Sequence, residues 1–173
     1  RNLEPQAPRA VLMQRPFQLV GVHWRGPGRI EFRTRGHRGN WSSWRESSDE
    51  DTAPHRGWRI GEPVWVGAST AMQYRAVGRV TRARAYLVRS PRLPVTTKPL
   101  EVAGAPSIIP RVGWHADESI RKGAPFYAVG VHLVFVHHTV NANSYTKAQS
   151  ASIVRGIELY HVPYSNSAQL IAD

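Results

Sequence analysis

From Phe17 to Arg89 apolar and polar residues change places at every second position, in short bursts closed by turn residues. RIEFRTR (29–35) sets Ile30, Phe32 and Thr34 against Arg29, Glu31, Arg33 and Arg35, the period of a strand with one face buried. FQLVGVHWR (17–25), EPVWVG (62–67), AMQYRAVG (71–78) and RARAYLVR (82–89) read as further strands, and Trp41–Glu46 follows a turn at Gly36–Asn40. About six short strands at spacings of roughly 8–12 residues predict an all-β sandwich over 16–92. Residues 1–15 have no clear period and read as a linker or tail. Trp24, Trp41, Trp44, Trp65 and Tyr74 are expected to supply much of the sandwich core, because each ring buries a large area. Trp and Arg exposed together would instead form a stacking platform for sugar or nucleic acid.

The pattern changes after residue 92. Five prolines fall between Ser90 and Pro110, and 93–106 reads as a semi-extended linker with a domain boundary near Ala105. Val131, Leu133, Val134, Phe135 and Val136 then form an apolar run typical of a strand buried on both faces. It ends on His137-His138, and a polar loop follows. Thr146 with Gln149 three residues on predicts a capping box. Ala148, Ala151, Ile153, Val154, Ile157 and Tyr160 recur at spacings of three and four, an amphipathic helix through about His161 that Pro163 stops. Strand, loop and helix point to the beginning of an α/β domain over 107–173.

Composition narrows the class. With 41% hydrophobic and 20% charged residues the chain is globular rather than disordered, and no apolar run reaches the length of a membrane-spanning helix. The absence of cysteine excludes disulfides and thiolate metal ligands within these residues. Residues 1–92 hold 17 arginines and no lysine against seven acids, a net of +10, whereas 93–173 carry a net of +1. That imbalance favours an anionic partner for the first half, although arginines spread over solvated strand faces would give the same total. No helix-turn-helix or zinc-finger pattern points to specific nucleic-acid binding. Arg1 is not an initiator and the last residues lack a terminator, so the chain is expected to be a fragment.

Three motifs in the second half carry a family resemblance. Pro110-Arg111-x-x-Trp114-x-Ala116-Asp117-Glu118-Ser119 is similar to the opening signature PRxxWGADES, with His115 in place of the glycine. Val136-His137-His138-Thr139 is similar to a VHHT strand end. Ile153-Val154-Arg155-Gly156-Ile157 followed by Tyr160-His161-Val162 is similar to the helix IxRGIxxYHV. Together, over about residues 107–162, they resemble the peptidoglycan recognition protein family, which shares its fold with the zinc-dependent N-acetylmuramoyl-L-alanine amidases.

The resemblance implies an all-β sandwich followed by the truncated start of an α/β amidase-like domain, incomplete at its C-terminus. It implies a peptidoglycan hydrolase that cuts between N-acetylmuramic acid and L-alanine, using a zinc-bound water whose pKa falls to about 7. His137 takes the place of a zinc ligand, and the remaining ligands are expected beyond Asp173. His138, one residue on, faces the other side of the strand and reads as a supporting neighbour. Tyr145 and Arg155 either line the substrate groove or pack the helix. His161 suits the negative end of the helix dipole, and Asp117 and Glu118 read as capping groups. On an ungapped reading Asp173 falls where the family has a tyrosine that assists catalysis, so the catalytic residues themselves are unknown. The expected partners are peptidoglycan and, through the basic half, anionic wall polymers. The expected place is secreted or wall-associated, outside a bacterial cytoplasm. The alternative is a non-catalytic peptidoglycan-binding module.

Overall fold

The computed structural model describes residues 7–49, 57–95, 98–99, 101, 103–104, 106–121, 123–124, 129–130, 144–161 and the backbone of 168–172. Its strands are β1 (Arg9–Arg25), β2 (Arg29–Arg35), β3 (Arg45–Glu46), β4 (Arg59–Ile60), β5 (Val64–Val77), β6 (Arg82–Val88) and β7 (Ala168–Ala172), with one helix, α1 (Lys147–His161). The strands form a single antiparallel sheet in the order β3-β2-β5-β1-β6-β7, and β4 pairs with β1. The predicted apolar strand 131–138, with His137 and His138, lies outside the described residues, as do Asn141–Asn143 and Asp173.

Two bulges turn this one sheet into a curled, sandwich-like body. Between the pairs Leu12↔Ala71 and Phe17↔Ser69, β1 advances five residues while β5 advances two. Pro16 sits in that excess, where a residue without an N–H costs the ladder nothing. Between Phe17↔Ser69 and Leu19↔Trp65 the excess passes to β5, where Gly67 takes φ +70. A left-handed glycine is what a bulge of this kind requires. Each long strand therefore bends, and its two halves belong to facing parts of the sheet.

These bends correct two expectations. Arg9–Arg15, read as linker or tail, form the first part of β1 and pair with β5. The two predicted strands at 62–67 and 71–78 are one strand, β5, running through Gly67.

The core lies inside the curl. Phe17, Val20, Val22 and Trp24 from β1 meet Ile30 and Phe32 from β2, Met72 from β5, and Ala85 and Leu87 from β6. Trp24 is fully buried and keeps its indole N–H satisfied by the carbonyl of Gly28 at 2.8 Å. Trp41, Trp44 and Trp65, expected in the core, are only half-buried and stand outside it. Outward-facing positions put Trp41 and Trp44 over the arginines of β2.

The run Phe17–Val22 is buried without alternation because its second face is also covered. Leu19, Gly21 and His23 of β1, with Tyr86 of β6, face α1. The ring of Tyr160 fills the space beside Gly21, where an added Cβ would come within 2.0 Å of it. Ser90 is buried and donates to the carbonyl of Ser152, while its N–H donates to Gln18 Oε1 at 2.7 Å. The start of the proline-rich stretch is thus bonded to both β1 and α1.

Candidate polymer-binding face and the amidase-like segment

The outer face of β2 is built from the alternation seen in the sequence. Ile30, Phe32 and Thr34 point inward, which leaves Arg33 and Arg35 outside. The segment after the Gly36–Asn40 turn comes back along β2: Ser42 N–H donates to Thr34 O at 2.9 Å, Thr34 N–H donates to Ser42 Oγ at 3.1 Å, and β3 pairs with Glu31 and Phe32. This return lays both indoles over the outer arginines. Arg33 stands 5.1 Å from the ring centroid of Trp41 and 4.6 Å from that of Trp44. Arg35 stands 4.8 Å from Trp41, and Arg75 of β5 stands 4.2 Å from Trp44. All are within cation–π range.

The rungs differ in charge balance. Arg75 is neutralised by Glu31 at 2.6 Å, and Arg29 bridges Glu31 and Glu46. Arg33 donates from Nε to the neutral amide of Gln73 at 2.8 Å. Among the described residues neither Arg33 nor Arg35 has a carboxylate partner. Stacking fixes these two guanidinium groups without cancelling their charge. A smaller arrangement repeats the theme, with Arg25 and Arg84 at 4.8 and 4.4 Å from the ring of Trp58.

The amidase-like motifs meet in one place. Arg111 pairs with Glu118 at 2.6 Å and with Glu158 of α1 at 2.5 Å, while Glu158 also accepts from the N–H of Asp117 at 3.1 Å. Hydrogen bonding from Arg111 holds the Glu118 carboxyl below its ordinary pKa. Asp117 caps the turn at Glu118–Ile120 by accepting from Ser119 N–H at 3.1 Å. In the first turn of α1, Gln149 reaches back to accept from the N–H of Thr146 at 2.7 Å, one half of the predicted capping box.

Arg155 is buried and donates to the carbonyls of Trp114 (3.2 Å) and Pro91. Burial lowers its pKa from the ordinary value, and Glu158 opposes that shift. These bonds tie α1 to the Arg111–Trp114 turn and to the start of the proline-rich stretch. Tyr145 is half-exposed just before α1, 49% accessible. His161 ends α1 with its ring against Tyr160. His115 takes a left-handed φ of 59 at the close of the Arg111–Trp114 turn and bonds Pro94 O at 2.8 Å.

Zinc has no home among the described residues. No group of three or more His, Asp or Glu stands close enough there to hold a metal, and His137 lies outside them. No helix among them is long and apolar enough to cross a membrane.

Sequence reasoning missed two features. A cavity of about 330 Å³ opens between the sheet and α1, walled by Trp65, Gln18, Arg92 and Gln149 among others. It sits at the small end of ligand pockets, which run roughly 300–1,000 Å³. The second is a half-buried polar cluster. Tyr160 O–H donates to Gly61 O at 2.7 Å, so His23 Nε2 at 2.8 Å carries the proton it shares with the phenol oxygen. Burial, with the charge of Arg84, lowers the His23 pKa from 6.5 to about 4.

No curated protein and no solved structure matches the chain, and no amidase or peptidoglycan recognition family model does. Residues 3–98, more than half of the chain, match the family described as Rv3811 N-terminal galactose-binding domain-like, and the chain belongs to that family.

Proposed function

We propose that this chain is the wall-engaging front of a bacterial peptidoglycan amidase acting outside the cytoplasm. In this reading the β domain holds wall polymer, and residues 107–173 begin the domain that cleaves between N-acetylmuramic acid and L-alanine. The observation that carries it is the interlock of two distant motifs. Arg111 and the Asp117 N–H from the opening signature bond Glu158 of the helix, and Arg155 bonds Trp114, across 40 or more residues of chain. Motif residues that depend on one another in space belong to one folded unit, which supports a real amidase-like segment over a chance string. The hydrolysis itself rests on the resemblance, because the described residues offer the implied zinc no ligand set.

The test pairs retention with product analysis. Purified, polymer-stripped peptidoglycan should retain the chain, and a longer protein that completes the segment should release stem peptides with a free L-alanine amino group, read by mass spectrometry. The chain alone is expected to release none. Release of reducing sugar ends in place of that amine would sink the amidase reading. The second reading, a peptidoglycan-binding module without catalysis, is favoured by the galactose-binding-like family of the β domain. It predicts retention with no new amine from the longer protein either.

A further inference from the structure

We propose that the outer face of β2, where Trp41 and Trp44 hold Arg33 and Arg35, is a binding site for an acidic polymer with repeated phosphate or carboxylate groups. The site is read through phosphate or carboxylate oxygens on that polymer. This deepens the wall-binding reading above and rests on it.

The argument begins with which arginines have charge to spare. Arg29, Arg59, Arg75, Arg111 and Arg121 each face a carboxylate, at 2.5 to 3.5 Å. Arg33 and Arg35 face aromatic rings and, for Arg33, a neutral amide. Ring contact leaves a guanidinium fully charged and holds its plane, so its N–H edges stay available in a fixed direction. A fixed edge suits the paired oxygens of a phosphate or carboxylate. Rotamer freedom that binding would otherwise remove is already gone.

Arg33 and Arg35 are two positions apart on one strand, so their Cα atoms stand roughly 6.5–7 Å apart on the same face. That spacing offers successive contacts to charges repeated along a polymer rather than one pocket for a small anion. The indoles argue against a nucleic acid, since the contacts drawn for Trp41 and Trp44 commit ring faces to arginine and leave less for base stacking. Arg38 and Arg45 are exposed on the same return and extend the positive field.

The experiment measures binding of the chain to soluble poly(glycerol phosphate), to hyaluronate as the carboxylate arm, to neutral dextran and to duplex DNA, at roughly 50 mM salt and above. The double variant Arg33→Gln/Arg35→Gln is compared with the charge-matched control Arg79→Gln/Arg89→Gln, two exposed arginines away from β2 and its return, and thermal melting checks that both fold. Arg33→Lys keeps the charge and loses the planar edge, so it separates geometry from charge if the double variant is unstable. Support is binding to at least one of the two acidic polymers, with a shallower salt slope and about tenfold weaker binding in the first double variant only. An equal loss in the control, no loss in any Arg33 variant, or DNA bound as tightly with the same losses would overturn it. So would failure of both acidic polymers to bind. If polymer-stripped peptidoglycan still retains the chain in that case, this site falls and the wall-binding reading stands.

Discussion

Arg33 and Arg155 hold their charges in opposite ways. Arg155 is buried, and two of its N–H groups donate to backbone carbonyls from two other segments. Arg33 lies at the surface between two indoles, with an amide as its only hydrogen-bonded partner among the described residues. Desolvation works against the first charge, and the fold compensates by spending it on structure. The second remains solvated and uncancelled, which leaves it available to something outside the chain. The lesson is that an arginine's role follows from where its N–H edges point, and residue type alone does not reveal that.

The largest break in this contrast comes from the buried partner. Arg155→Met should destabilise the chain by about 3 kcal/mol, since two carbonyls lose a charged donor in a place water reaches poorly. Urea unfolding measures it. A loss under about 1 kcal/mol would mean that Arg155 is not the tie between α1, Trp114 and Pro91.

Acid should strain the same side of the molecule next. His23 titrates at about 4 in the fold and at the ordinary 6.5 when unfolded. Above 6.5 neither state holds the extra proton, and this contribution is complete. Between 6.5 and 4 the unfolded chain takes up a proton that the folded chain refuses, so stability falls as pH falls. Below 4 both states are protonated and the loss levels off. The full shift corresponds to about 3 kcal/mol, and partial exposure of the ring reduces it to about 2. His23→Gln keeps a donor for Tyr160 and should flatten that part of the pH profile. An unchanged slope in the variant would assign the acid sensitivity elsewhere.

Gly21→Ala probes the slot by shape alone. The new methyl would overlap the Tyr160 ring, and displacing it should cost roughly 1–3 kcal/mol. Loss of α1 helicity before the sheet melts, followed by circular dichroism at two wavelengths, would show that the ring fastens the helix. Coincident melting at the original temperature would show that the ring moves aside at no cost.

How much of this was legible in the sequence depends on how local the cause is. The alternation of β2 and the capping glutamine in the first turn of α1 are readable because each follows from neighbours in the chain. The strand limits differ from the expected ones because Pro16 and Gly67, residue types that commonly end a strand, sit here in bulges that the opposite strand absorbs. Tryptophan was assigned to the core by its hydrophobic area, and only Trp24 fulfilled that cleanly. Trp41 and Trp44 sit on the outer face because Ser42 pairs with Thr34, a contact without a local sequence signature. The Gly21 slot was equally hidden, since its filler comes 139 positions later. The motifs at Arg111 and Arg155 were readable as family likeness, but their bonding to each other was not. His137, on which the zinc reading turns, lies outside the described residues.

The smallest effect on stability should still accompany a measurable effect on binding. Trp41→Leu removes the ring that Arg33 and Arg35 share, and half-exposed cation–π contacts of this kind are worth about 0.5–1 kcal/mol each. The fold should therefore lose only about 1 kcal/mol, because Trp41 is outside the core and Trp44 still covers Arg33. Both positive charges survive, so any theory based on net charge predicts unchanged affinity for an acidic polymer. Preorganisation predicts otherwise: Arg35 loses its only ring contact among the described residues and must be ordered anew in each complex. Binding should weaken several-fold while the salt slope stays near the parent value, since the number of charges is the same. Affinity unchanged by Trp41→Leu, alongside a clear loss in the Arg33 and Arg35 variants, would reduce the indoles to bystanders and leave charge as the whole account.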